Sequence, residues 1–320
     1  MKNAFARRRL FLAVTIVILL TIGTEIGLRL AVGLGNPPLF QSDPQIGYMM
    51  VANQEVYRLG NRIKVNAFHQ RSDDLTALPM DGIERLFFLG DSITFGVVGV
   101  DQTEIFSELV GADLRKTGQK IEVMNASAAS WAIGNELEYV RRFGTFGSKI
   151  AVLEIGSADL LQPTSVGDGV GVNAGQPDRK PFSAINELFD RIVIPRIAEI
   201  LGYQPSDNEP VSVEDRARQF KENMQHFADL VAAVRQQGSL PLVVMMPVLP
   251  EIVQNPFQRY VPYRDSFRKY LQQLNVPFVD MSVAWHNDPN AKSYYTDGTH
   301  LTAAGNRAVS KEIVAAIKRM

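Results

Sequence analysis

Short apolar runs alternate with longer amphipathic segments through the last three quarters of the chain. The apolar runs are five or six residues long, as buried strands usually are, and they predict strands at residues 85–89, 121–125, 150–155, 242–246 and 276–281. Between the first three of them, apolar residues recur every three or four positions and predict helices at residues 104–116 and 133–146. Strands that alternate with helices indicate a parallel sheet covered on both faces, so we predict an α/β fold with a five-stranded parallel sheet.

Helix caps refine this pattern toward the carboxyl terminus. Ser212, with Asp215 three residues later, begins a long helix that Gly238 ends, and Thr302 begins the last helix. Between the third and fourth strands the chain carries an insertion at residues 160–210, Gly- and Pro-rich at first and then helical. A lid or substrate-binding segment and a plain surface decoration are both consistent with its position.

The amino terminus has a different pattern. An apolar stretch covers residues 10–34. The basic cluster before it consists of Lys2, Arg7, Arg8 and Arg9. The stretch is long enough to cross a bilayer, and basic residues stay on the cytoplasmic side. We therefore predict a membrane anchor with a cytoplasmic amino terminus, in which Glu25 and Arg29 pair near the far interface. A cleaved signal peptide, with a small-x-small site at residues 31–33, and a twin-arginine signal are the alternatives.

These patterns divide the chain into three parts. Residues 1–35 are predicted to be a basic tail and transmembrane anchor, 36–82 a linker and small subdomain, and 83–320 the main domain with its insertion. In this topology the main domain lies in the periplasm or outside the cell.

Composition excludes several classes of function. A formal net charge of -1 leaves no electrostatic footprint for nucleic acid. The absence of cysteine excludes disulfides, thiol catalysis and thiolate metal sites. We find no spacing typical of metal ligands and no phosphate-binding loop, so no metal and no cofactor is predicted.

Polar residues follow the predicted strands, at the edge where an open α/β sheet builds its site. Asp91 and Ser92 come after the first strand, Asn125 and Ser130 after the second, and Gly156 and Asp159 after the third; Asp297 and His300 precede the last helix. A serine hydroxyl becomes a good nucleophile when a base takes its proton, and imidazole suits this role best when a carboxylate orients it. We predict that Ser92 attacks, His300 is the base and then the acid, and Asp297 orients His300.

Other residues at this edge have supporting roles in the prediction. The backbone N–H groups of Ser92 and of the Ser130 loop are candidate donors to the tetrahedral intermediate. Asp91, Asn125, Gly156 and Asp159 are predicted to support the site, and Asp159 to hold its own loop. Taken alone, the Gly-Asp-Ser segment is consistent with a plain turn, and Asp297 with His300 is consistent with a helix-capping network.

Together, Gly-Asp-Ser at 90–92 and Asp-Gly-Thr-His at 297–300 resemble the first and last blocks of the SGNH hydrolases, also called GDSL esterases. The resemblance extends from about residue 84 to the carboxyl terminus and implies a flavodoxin-like three-layer sandwich. Residues 43–48 and 65–68 resemble membrane-anchored members that are associated with exopolysaccharide modification. The resemblance thus implies a serine-dependent O-acyl esterase or acyltransferase. We predict that it acts on an O-acetyl group of a polysaccharide or cell-envelope glycan.

The chain departs from the family pattern in two blocks. Ser130 stands where the family has glycine, and Ala158 stands where the family has the asparagine that donates to the oxyanion. Asn125, Asn135 or a group on the insertion is a possible substitute donor. The missing donor makes a weak or inactive glycan-binding protein an alternative, which would have partners in an envelope or exopolysaccharide assembly. A second alternative is a lipolytic esterase that acts on membrane lipids.

Overall fold

The computed structural model describes residues 2–173, 175–200, 212–253 and 259–320. The chain begins with α1 (Lys2–Gly27), which a π-helical turn (Leu28–Val32) extends to Gly33. The helical stretch Phe5–Val32 is long and apolar enough to cross a membrane, and its most apolar part is not buried against the rest of the protein. A signal sequence has the same properties, so this helix is compatible with a membrane anchor and with a signal sequence.

Two antiparallel hairpins follow the helix. They are formed by β1 (Phe40–Asp43) with β2 (Gly47–Met50), and by β3 (Gln54–Arg58) with β4 (Asn61–Val65). Their inward side chains, which include Tyr48, Met50 and Ile63, are buried in one core with the central sheet.

The five-stranded parallel sheet confirms the predicted fold class. Its strands are β5 (Glu84–Gly90), β6 (Ile121–Ser127), β7 (Ile150–Gly156), β8 (Leu240–Met246) and β9 (Phe278–Asp280). They lie in the order β6-β5-β7-β8-β9, which is the flavodoxin-like order 2-1-3-4-5. The last strand is shorter than predicted, because Asn275 has a left-handed conformation before it and Asp280 caps a helix after it.

Within the described ranges, ten further helices follow α1. They are α2 (Ser92–Phe95), α3 (Phe106–Arg115), α4 (Ile133–Phe143), α5 (Ala184–Leu188), α6 (Ile194–Ile200), α7 (Val213–Gln236), α8 (Leu249–Val253), α9 (Val261–Gln273), α10 (Met281–Ala284) and α11 (Ala303–Ile317). Short 3-10 turns lie at Gln102–Glu104, Gly167–Gly169 and Ala291–Tyr294, and a π-helical turn at Phe189–Val193 joins α5 to α6. Helix α4 ends three residues before its predicted end, because Gly144 has a positive φ.

Strand alternation builds a core on each face of the sheet. Phe87 and Leu89 of β5 point into the core that contains the hairpins and helices α4, α7 and α9. Leu86 and Phe88, one residue out of phase, point into the core that contains α3 and α11. The result is the predicted three-layer sandwich. Of the predicted insertion, residue 174 and residues 201–210 lie outside the described part of the chain.

Candidate active site

Ser92 lies at a sharp turn between strand β5 and helix α2. Asp91 leaves the strand and caps the helix, because its carboxylate accepts the backbone N–H of Ile93 at 2.7 Å. Gly90 is required before this turn, since a Cβ atom there would lie 2.3 Å from Oγ1 of Thr94. The turn therefore presents Ser92 at the carboxyl edge of the sheet, where it is the first residue of α2.

A continuous chain of hydrogen bonds joins the three residues that the sequence analysis proposed as a triad. Nε2 of His300 lies 2.9 Å from Oγ of Ser92, and Nδ1 of His300 lies 2.8 Å from Oδ2 of Asp297. The serine and the histidine are 208 positions apart in the chain. Both distances are in the range of ordinary hydrogen bonds, so a proton can pass from serine to imidazole without rearrangement.

Asp297 is held as an anion by its own loop. Its Oδ1 accepts the backbone N–H groups of Thr299 at 2.7 Å and of His300 at 2.8 Å. Partial burial raises the pKa of the Asp297 carboxyl, but the hydrogen bonds from His300 and Thr299 outweigh it and hold that pKa below its usual range. The carboxylate therefore remains charged at neutral pH and can stabilise an imidazolium that forms beside it.

Two backbone N–H groups are open at this edge. Those of Ser92 and Ser130 have no hydrogen-bond partner within the ranges that the structure describes. Ser130 has a φ of 63°, a left-handed backbone conformation that glycine adopts more easily than serine. Its carbonyl oxygen accepts hydrogen bonds from the insertion, from Nε2 of Gln162 at 2.8 Å and from Oγ of Ser165 at 2.5 Å.

Neither of the two asparagines suggested as substitutes for the Ala158 position has a free amide. The Asn125 side chain is fully buried and its Nδ2 donates to the carbonyl of Thr94 at 2.8 Å and to Oγ of Ser107 at 2.9 Å. The Asn135 Nδ2 donates to two backbone carbonyls, those of Ile46 and Ser165, at 2.7 Å each. Both amides are committed to structure, so neither is placed to donate to a substrate.

The loop after β7 is held by its own acidic residue. Oδ2 of Asp159 accepts the backbone N–H of Gly156 at 2.7 Å, and its backbone carbonyl accepts Nδ2 of Asn223 at 2.8 Å. A Cβ atom at Gly156 would lie 3.1 Å from that carboxylate oxygen, which is a tight contact. Half-buried Ala158 lies between these two residues and offers no side-chain donor.

Among the described residues, four buried carboxyl groups interact with one another, including that of the residue before Ser92, and the sequence indicated only two of them. Glu154 and Glu136 join Asp91 and Asp159, and burial raises the pKa of all four. Oε2 of Glu154 accepts Oγ1 of Thr94 at 3.1 Å. A glutamate inside the apolar run 150–156 is the signal that could have revealed Glu154. Among the described residues, no three His, Asp or Glu side chains are arranged to hold a metal ion.

Glu136 is the member of this group whose burial is least compensated by hydrogen bonds. It is fully buried, and neither carboxylate oxygen has a hydrogen-bond partner within the described structure. Burial raises its pKa well above the usual value, and Asp159 and Asp91 raise it further. The folded state therefore keeps a proton that the unfolded chain releases above about pH 4.3, so this group destabilises the fold increasingly as the pH rises.

We expect Glu136→Gln to reduce this loss of stability. At pH 8.5 the variant should be more stable than the wild type by roughly 1–3 kcal/mol, and at pH 4 the difference should disappear. Thermal unfolding of the full chain in detergent at both pH values measures this. Glu138→Gln, on the same helix but with a partly exposed side chain, is the matched control. The same pH dependence in the wild type and in Glu136→Gln would contradict the burial of a protonated acid.

Contacts from the N-terminal hairpin region position both loops of the site, and no local sequence pattern signals them. Arg71 is fully buried and donates to three carbonyls at and beyond the end of α2, those of Phe95 at 2.5 Å, Val97 at 2.8 Å and Val100 at 2.6 Å. The Tyr48 hydroxyl donates to the carbonyl of Ala129 at 2.5 Å, directly before Ser130. Residues upstream of the main domain thus fix the loops on either side of the serine.

Comparison with known proteins identifies the family of the chain. The model of the GDSL-like Lipase/Acylhydrolase family matches residues 88–308. Solved structures similar to this chain include TesA, at 15% identity, with 74% of this chain and 99% of that one covered and a TM-score of 0.48. Another is a member of the lipolytic protein G-D-S-L family from Veillonella parvula, at 11% identity, with 74% of this chain and 100% of that one covered and a TM-score of 0.47. A third is the lipase/acylhydrolase from Enterococcus faecalis, at 16% identity, with 74% of this chain and 96% of that one covered and a TM-score of 0.46. A search of curated proteins gives no match.

Proposed function

The chain belongs to the GDSL-like lipase/acylhydrolase family, and from this premise we propose that it hydrolyses or transfers O-acyl groups, with O-acetylated glycan as its substrate. Membership of the family supports serine-type acyl ester hydrolysis in general. The observation that carries the proposal for this chain is the hydrogen-bonded series from Ser92 through His300 to Asp297, at 2.9 and 2.8 Å.

The proposed mechanism follows from these contacts. His300 Nε2 takes the proton of Ser92 Oγ as the oxygen attacks the ester carbonyl, and the Asp297 carboxylate stabilises the imidazolium. The open N–H groups of Ser92 and Ser130 are the proposed donors to the tetrahedral oxyanion. His300 then gives its proton to the departing alcohol, which leaves an acyl group on Ser92. Water, activated by His300 in the same way, releases the acid; a sugar hydroxyl in its place would complete a transfer. The mechanism uses no cofactor.

Polar groups around the Ser130 loop support a glycan rather than a lipid substrate. Gln162 and Ser165 of the insertion border this loop through hydrogen bonds to the Ser130 carbonyl. Hydroxyl-rich ligands suit such a rim, whereas a long acyl chain would need an apolar channel. The proposal therefore places the sugar on the side of the insertion and a small acyl group at Ser92.

The proposed location is the membrane, with the catalytic domain outside the cytoplasm. The apolar helix Phe5–Val32 and the basic residues before it support an anchor with a cytoplasmic amino terminus. Glu25 and Arg29 form the expected ion pair at 2.6 Å near the far end of this helix. Such an anchor would hold the enzyme where envelope glycans are assembled and modified.

Release of acetate from an O-acetylated polysaccharide tests the substrate class. We expect the purified full chain in detergent to release acetate and to be much less active on a palmitoyl ester of the same alcohol. Ser92→Ala is the control for chemical deacetylation. A preference for the palmitoyl ester, with no acetate released from polysaccharide, would replace this proposal with a lipolytic esterase.

A further inference from the structure

The end of the apolar helix is tied to the insertion by several hydrogen bonds. The Glu25 carboxylate accepts the backbone N–H groups of Ala184 at 2.8 Å and Ile185 at 3.1 Å, which are the first two of α5. Arg29 donates to Glu25 at 2.6 Å and to the carbonyl of Phe182 at 3.2 Å. A helix that would leave a membrane here is thus docked against the amino-terminal end of α5.

A second set of contacts joins the same helix end to the β3–β4 hairpin. Glu187 of α5 is buried and accepts the Gly35 N–H at 2.5 Å and the Arg58 guanidinium at 2.5 Å. The N–H of Leu59, in the hairpin turn, donates to the carbonyl of Val32 at 2.8 Å. Three separate parts of the chain therefore meet around the point where the apolar helix ends.

The side chains beside this junction are apolar and exposed. In the insertion they are Phe182, Phe189, Ile192, Ile194, Ile197 and Ile200, and in the hairpin they are Tyr57 and Leu59. Phe182 is 96% exposed, which is rare for a phenylalanine in water. Exposed apolar patches of this kind mark surfaces that contact a protein, a ligand or a membrane. We call these eight residues the junction surface.

We propose that the junction surface lies in the interfacial layer of the bilayer, with lipid as its occupant. The proposal rests on the proposed anchor, because the helix that carries this surface is the one that would cross the membrane. Glu25 lies seven residues before Val32, so α5 begins about 10 Å back along the apolar helix, which places it below the helix end. Amphipathic helices that lie in a membrane interface are buried about 5–10 Å, which matches this depth.

The composition of the junction surface also suits an interface. Tyrosine is enriched at the level of the lipid headgroups, where Tyr57 would lie. With the junction surface in the interface, the catalytic domain is attached at two places and is held in one orientation, whereas a single helix would let it rotate.

Fluorescence quenching at single cysteines tests this inference in the full chain. The protein has no cysteine, so each probe is unique. Bimane is attached at Phe189→Cys or Ile197→Cys, with Val283→Cys as a control at an exposed residue of α10 and Leu19→Cys as a control within α1. The proteins are reconstituted into phosphatidylcholine–phosphatidylglycerol vesicles, and quenching is measured with a nitroxide on the upper acyl chain and with iodide in the buffer.

We expect the nitroxide to quench the probes at Phe189 and Ile197 as strongly as it quenches the probe at Leu19, and iodide to quench only the probe at Val283. Lipid quenching at Leu19 with iodide quenching at Phe189 and Ile197 would overturn the inference and leave the anchor intact. Loss of lipid quenching at Leu19 as well would overturn the anchor. Protection of Phe189 and Ile197 from both quenchers would show that protein covers the surface, a second copy or another segment, and would also overturn the inference.

Discussion

Ser92→Ala and His300→Ala are each expected to lower kcat/KM for a small acetyl ester by about 10⁴–10⁶-fold, the range of losses when a nucleophile or base of a serine hydrolase is removed. The reason is that the 2.9 Å contact between the two side chains carries the proton that activates the serine. Because the pair acts as one unit, the double variant should lose little more than either single variant.

Matched controls separate this effect from general damage. Ser266→Ala on α9 and His286→Ala change exposed residues that take no part in the proposed mechanism, and their rates should stay close to that of the wild type. Circular dichroism should show an intact fold in all four variants. Rates like that of the wild type in Ser92→Ala or in His300→Ala would contradict the proposed mechanism.

The pH dependence of the wild type gives an independent check on the base. A protonated imidazole cannot accept the serine proton, so activity should fall on acidification. Asp297 should not contribute to this fall, because the pKa of its carboxyl is below its usual range and it stays ionised as the pH decreases. A rate that does not change down to pH 5 would argue against a histidine base.

Ala158→Asn is expected to raise the rate on small acetyl esters about ten-fold. One oxyanion donor contributes about 100- to 1,000-fold in other hydrolases, and a newly introduced one recovers only part of that. The structure strengthens this expectation, since the amides of Asn125 and Asn135 are bonded to the protein itself. Comparison of kcat for the wild type, Ala158→Asn and Ala158→Leu isolates the effect of the side-chain donor, because leucine is similar in size to asparagine but has no N–H group in its side chain.

The other outcomes of this series are also informative. A fully active wild type that gains nothing from Ala158→Asn would show that the proposed oxyanion site is in the wrong place. A wild type without turnover that still binds acetylated polysaccharide would identify a glycan-binding protein that has lost its chemistry. An equal gain in Ala158→Leu would attribute the effect to packing of the loop after β7.

Local patterns made most of the fold predictable. Each sheet strand is a short apolar run, and two of the long helices begin at caps that the sequence shows, Ser212 before α7 and Thr302 before α11. The candidate triad was also predictable, because Ser92 and the Asp297–His300 loop each lie in a short motif, and parallel strands bring their carboxyl ends to one edge. The family name depended on those same motifs.

What the sequence could not reveal depends on contacts between distant segments. Nothing near Arg71 in the chain indicates that its guanidinium donates to three carbonyls at and beyond the end of α2. Asn125 was a plausible donor until the structure showed its amide facing Thr94 and Ser107. Nothing in the sequence around Glu136 indicates that its side chain is fully buried in the fold. Side-chain direction and burial are decided by the assembled fold, not by the local pattern.

Labelling with a fluorophosphonate is the most direct test of the central claim, that Ser92 is an activated nucleophile. The reagent forms a covalent bond with an activated serine and needs no knowledge of the substrate. We predict that the folded wild type is labelled at Ser92, that His300→Ala is labelled far more slowly, and that Ser92→Ala and the denatured wild type are not labelled. Labelling of Ser92→Ala at the rate of the wild type, or a folded wild type that is never labelled, would contradict the account.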